Sequence, residues 1–138
     1  MDTFSFSRLE KFRTCPYAFF RHYELGIKEP PTEALALGRA VHAAIEAVII
    51  RGIPVEEAAR QAAAAADLPV DPAEVERLAS AFTGTYEPDP KARLEVEREF
   101  VLELAPGVKA RGYIDLLEVW PDGRVRLTDF KTDRIPYQ

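Results

Sequence analysis

Near its carboxyl-terminal end the chain places Asp129-Phe130-Lys131. Alternate residues of a strand face the same side, so the acid and the lysine are expected to point together, after Val125 and Leu127 on a buried face. Asp115 shares a strand face with Leu117 and Val119. A carboxylate that continues an apolar face has to pair, protonate or bind a cation. Pro121-Asp122-Gly123 is a turn signal between these segments. Counting equally outward from that turn sets Asp115 across from Asp129. Facing carboxylates repel unless positive charge lies between them. Lys131 can supply it. A divalent ion does so better, and hard oxygen ligands suit Mg²⁺ or Mn²⁺. Two carboxylates, a backbone carbonyl and a lysine make a site for metal-assisted phosphodiester hydrolysis. The metal would polarise the phosphate and acidify an attacking water, and the lysine would steady that water or the developing charge. The plainer reading is a strand-end salt bridge with Arg111 or Arg126. Asp89-Pro90-Lys91, in a proline-rich loop, shows that the tripeptide by itself says little.

The elements that would carry these residues follow from periodicity and punctuation. Ser7 and Glu10 form a capping box for a short first helix. Pro16 suits the first turn of a second helix, which Gly26 stops. Thr32 caps a long helix over 33–50, with Leu37, Val41, Ile45, Val48 and Ile49 as its apolar stripe and Gly52 at its end. Pro54 opens a helix from Val55 to Ala66. Asp71 caps another, which buries Val75, Leu78, Ala79 and Phe82. After Pro88 and Pro90 the period changes. Leu94, Val96, Phe100, Leu102 and Leu104 alternate with Glu95, Glu97, Glu99 and Glu103, which is a strand with one wet face. Val108 to Trp120 and Arg124 to Lys131 read as two further strands. The chain is therefore expected to be an α/β protein. Helices in 1–87 pack on a mixed sheet in 88–138 that begins with a three-stranded antiparallel meander. A sheet ending on an open edge is a poor place to stop, so 1–138 is expected to be one incomplete domain, continued in the gene or completed by a partner.

Composition bounds the rest. The 138 residues are 47% hydrophobic and 30% charged, a globular mixture. The net charge of −5 argues mildly against a nucleic-acid partner held by bulk charge. The acidic excess sits in residues 29–104, and both ends are weakly basic. Cys15 has no second cysteine to pair with, and is read as a small buried thiol. No apolar run is long enough to span a membrane, and the first residues do not read as a signal peptide. A cytoplasmic protein is expected. Phe4, Phe6, Phe12, Tyr17, Phe19, Phe20 and Tyr23 crowd the first 25 residues and read as core rather than as a base-stacking surface. Arg8, Lys11, Arg13 and Arg21 beside them could track phosphates, although such residues commonly just solubilise a helix.

In order along the chain, four segments resemble the PD-(D/E)XK nuclease superfamily, in the branch of the RecB and AddB nuclease domains and the CRISPR-associated adaptation nucleases. They are Ser5-Phe6-Ser7-Arg8-Leu9 through Cys15-Pro16-Tyr17-Ala18-Phe19, Leu37-Gly38-Arg39-Ala40-Val41-His42, Gly112-Tyr113-Ile114-Asp115, and Asp129-Phe130-Lys131-Thr132-Asp133-Arg134. The resemblance implies a restriction-endonuclease-like core and a DNA exonuclease of recombination or repair, dependent on Mg²⁺ or Mn²⁺. It implies His42, Asp115, Asp129 and the carbonyl of Phe130 as metal ligands, and Lys131 as the catalytic lysine. Glu97 stands where the family often has a strand glutamate, and Tyr137-Gln138 where a glutamine–tyrosine helix begins. Cys15 matches the first ligand of the iron–sulfur cluster that some members hold. With no other cysteine, this chain cannot hold a Cys₄ cluster by itself. DNA is the implied partner, with a helicase or recombination protein beside it. The rival readings are a non-catalytic nuclease-like module that binds DNA or scaffolds a helicase, and a plain protein-interaction domain.

Overall fold

The computed structural model describes residues 2–132. In chain order the elements are β1 (Asp2–Ser5), α1 (Phe6–Thr14), α2 (Pro16–Phe19), a π-helical turn (Phe20–Glu24), α3 (Glu33–Arg51), α4 (Val55–Ala64), α5 (Pro72–Thr83), β2 (Arg93–Ala105), β3 (Val108–Val119) and β4 (Val125–Thr128). The strands form one mixed sheet in the order β1-β3-β2, with β4 also pairing β3. This is the mixed α/β architecture expected of a restriction-endonuclease-like core. Among the described residues no helix is long and apolar enough to cross a membrane.

The chain divides into two compact units. Pro31–Val96 with Asp115–Gln138 holds the buried core. Thr32 caps α3 by accepting the Leu35 amide at 3.2 Å, and Gly52 ends it in the left-handed conformation at φ 65°, which glycine adopts without a steric cost. α3, α4 and α5 then bury Ala40, Val41, Ala44, Ile45, Ala47, Ala58, Ala59, Val75 and Ala79 against one another. Small side chains let three helices approach closely. Ile45 and Val75 add about 1.5–3 kcal/mol each by leaving water.

The sheet in this unit buries the other face from the one its hydropathy suggests. The register pairs Leu117 with Leu127 and Val119 with Val125. Yet Val125 and Leu127, expected to be buried, are 57% and 62% exposed. Leu116 and Glu118 are the fully buried pair. Glu118 explains the inversion. It accepts Nε and Nη2 of Arg126, its cross-strand partner, at 2.5 and 2.8 Å, and the Tyr86 hydroxyl at 2.9 Å. Arg126 in turn lies over the Trp120 ring at 5.5 Å. A satisfied ion pair can occupy an interior face, so polar/apolar alternation assigned this face to water.

Met1–Pro30 with Glu97–Ile114 forms the other unit. Here β1 pairs in parallel with β3, from Asp2↔Val108 to Ser5↔Arg111. The sheet thus starts with this strand and not with the meander. A four-residue strand is too short to show a period, and its parallel partner lies about a hundred residues away in sequence. Because β1 keeps Ser5 extended, Ser5 and not Ser7 caps α1, accepting the Arg8 amide at 3.2 Å. Arg8 donates to the Thr3 carbonyl at 3.1 Å and lies over the rings of Phe4, Phe19 and Tyr23 at 4.9–5.6 Å. The aromatic-core expectation fails for the rest: Phe6, Phe12, Tyr17 and Phe20 are exposed, Phe6 by 80%. Cys15 is exposed as well, not buried. Its sulfur caps α2 by accepting the Ala18 amide at 3.4 Å. In β2, Glu97 sits at φ 49°, a left-handed backbone that breaks the pleat, and beyond it Leu102 and Leu104 are exposed.

Glu118 is fully buried but Arg126 is 55% exposed, so losing the acid leaves an arginine that water can reach and a Tyr86 hydroxyl without its acceptor. Glu118→Ala is expected to lower unfolding free energy by about 1–3 kcal/mol in a denaturant titration. The hydrogen bonds from Arg126 hold the Glu118 carboxyl below the usual carboxylate range. Its contribution is therefore present above that range and lost as pH falls through the depressed value. Acid unfolding of Glu118→Gln is expected to be correspondingly flatter.

Candidate active site

The site is assembled where β4 stops. The antiparallel register runs to Leu116↔Thr128, and one further step sets Asp115 opposite Asp129, as the turn count expected. The strand was expected to reach Lys131, but its ladder ends at Thr128. The cause is local. The Phe130 amide donates to Asp115 Oδ2 at 2.7 Å instead of to a strand carbonyl. A side chain on β3 thereby captures the backbone of the signature segment.

The same segment is held from the other side by α3. A backbone carbonyl can only accept, so His42 carries its proton on Nε2, which donates to the Phe130 carbonyl at 3.0 Å. The His42 ring meets the Phe130 ring edge-on at 5.6 Å, and Phe130 packs on Phe82 of α5 at 4.7 Å. With Nε2 so engaged, His42 Nδ1 faces Asp115 Oδ1 at 3.6 Å. These two atoms face each other at a separation that a shared proton or cation could bridge. Histidines that bind metals commonly donate their other nitrogen to a carbonyl in this way. An imidazole nitrogen and a carboxylate oxygen suit a divalent cation, and His42 and Asp115 bring such atoms close enough to share one.

The two aspartates differ in environment. The Asp115 side chain is 12% exposed. Burial, with Asp129 bonded beside it, raises its pKa, although the Phe130 amide and His42 work against the rise. Partial burial also disfavours the Asp129 anion. The Lys131 ammonium, 2.8 Å away, and the hydrogen bond shared with Asp115 outweigh that, and the Asp129 pKa is lowered. Opposed shifts on adjacent acids are a mark of functional sites. The two acids are thus pushed in opposite directions, Asp115 up by burial and Asp129 down by Lys131 and the bond to Asp115.

The salt-bridge reading of these acids does not survive. Arg111 pairs with Glu99 at 2.5 Å and Arg126 with Glu118. Among the sequence-derived candidates, the structure brings together His42, Asp115, Asp129, Phe130 and Lys131. Glu97 and Cys15 belong to the other unit, and Gln138 lies outside the described residues. Sequence reasoning missed Glu118. Its signal was an acid flanked by Leu117 and Val119 in mid-strand, opposite an arginine.

The model of the PD-(D/E)XK nuclease superfamily matches residues 3–138. No curated protein and no solved structure matches the chain.

The carboxyl-carbon resonances of the metal-free chain should report the split directly. Asp115 is expected to titrate above the ordinary aspartate value and Asp129 below it. In Asp129→Asn the Asp115 midpoint should fall but stay high, because burial, the largest cause, remains.

Proposed function

The chain belongs to the PD-(D/E)XK nuclease superfamily, and we propose that it is a metal-dependent deoxyribonuclease that hydrolyses DNA phosphodiester bonds as an exonuclease in recombination or repair. The observation that carries this reading is the His42–Asp115 pair, opposed at 3.6 Å beside the Asp129–Lys131 ion pair. Mg²⁺ or Mn²⁺ is the proposed cofactor. His42 Nδ1, Asp115 and Asp129 would hold it, with the second lone pair of the Phe130 carbonyl available to it. When bound, the ion supplies a Lewis acid for the phosphate and lowers the pKa of an attacking water.

The chain's own groups do the rest. The Phe130 amide and His42 Nε2 fix Asp115 and the Phe130 carbonyl from opposite sides. Asp129 holds the Lys131 ammonium at 2.8 Å and so keeps it aimed. Lys131 Nζ would donate to the attacking water or to the phosphate oxygen where charge develops. Glu97 is proposed as a further ligand. Its support is the left-handed backbone at φ 49°, since strain of this kind gathers at functional sites. Gln138 is proposed to act from the segment after the signature lysine.

A second reading, a nuclease-like module that docks a helicase or recombination protein, draws on the exposed Phe6, Tyr17, Leu102 and Leu104. Such a module would keep its partner when the site residues are replaced, and would cut nothing.

Cleavage of linear single- and double-stranded DNA tests the choice. With Mg²⁺ or Mn²⁺ the wild type is expected to cut, and Asp129→Ala and Lys131→Ala to cut roughly a thousandfold more slowly. Cutting that survives chelation, or that both variants retain, would contradict the reading.

A further inference from the structure

α3 carries a glycine in its interior, Gly38, where alanine would hold a helix better. One turn later comes His42. A methyl group built at Gly38 would lie 3.2 Å from the Thr132 hydroxyl oxygen, closer than side chains normally approach. Thr132 is the residue after Lys131. The signature segment therefore meets α3 at two points, Phe130 at His42 and Thr132 at Gly38. The spacing fits an extended segment laid antiparallel on a helix. Four helical residues rise ~6 Å, and two residues of extended chain advance ~6.6 Å. With 130 and 132 seated on the helix, the alternate residues 129 and 131 project to one side of the segment together. Their side chains meet at 2.8 Å.

We propose that Gly38 is a positioning residue: its bare backbone seats Thr132 and so sets the height of Lys131 above the His42–Asp115 pair. The inference rests on the nuclease reading for its consequence, and on the Gly38–Thr132 contact for its geometry. Gly38 touches no reacting atom, and acts through the segment it seats. A methyl at position 38 lifts Thr132. Lys131, one residue back, moves with it, while the helix itself gains.

A double-variant cycle separates seat from scaffold. In Gly38→Ala, melting temperature is expected to hold or rise by a few degrees. Turnover on linear DNA should fall at least tenfold, with KM within about twofold. Removing the obstructing hydroxyl should repair this. Gly38→Ala/Thr132→Ala is expected to turn over within about threefold of Thr132→Ala, and Gly38→Ala should raise the melting temperature more in the Thr132→Ala background than in the wild type. Turnover unchanged in Gly38→Ala, or a loss that Thr132→Ala does not repair, would overturn the proposal. So would strictly additive melting shifts. A wild type that cuts no DNA would instead overturn the nuclease reading and the catalytic consequence with it, while the melting cycle would still read the seat.

Discussion

One hydrogen bond organises the site. The Phe130 amide leaves the β4 ladder to bind the Asp115 carboxylate, and that exchange ends the strand, turns the signature segment toward α3 and keeps Asp115 in place. With it go the His42 bond to the Phe130 carbonyl and the tilted packing of Phe130 on Phe82. The alanine-rich packing of α3, α4 and α5 supports this from beneath. It fixes α3, and through α3 the ring of His42.

The electrostatics follow from the same geometry. Burying one acid and leaving its neighbour to a lysine drives their titrations apart. The result is an acid at Asp129 whose anion Lys131 favours and one at Asp115 whose charge is costly until something positive arrives. His42 presents its second nitrogen to that carboxylate. A cation would offset the cost at Asp115 and engage His42 at once, which is the physical basis of the proposed metal-dependent site.

Much of this was legible in the sequence because it is local or symmetric about a turn. Caps at Thr32 and Asp71, the Gly52 stop and the Asp115–Asp129 register all follow from near neighbours. What escaped is long-range or hidden by charge. β1 gains its meaning only from Val108–Arg111. The buried face of β3 carries Glu118, so alternation pointed the wrong way. The aromatics of the first 25 residues divide between three that cradle Arg8 and others left exposed, a division that no period encodes. The resemblance named the superfamily, and the superfamily match over residues 3–138 shows that much of it.

The central claim is that a divalent cation completes the His42–Asp115–Asp129 cluster. Calorimetric titration of Mn²⁺ into the wild type and Asp115→Asn tests it most directly. The account predicts a single Mn²⁺ site in the wild type, with proton release on binding, and its loss in the variant. Absence of binding, or equal binding by both proteins, would contradict it.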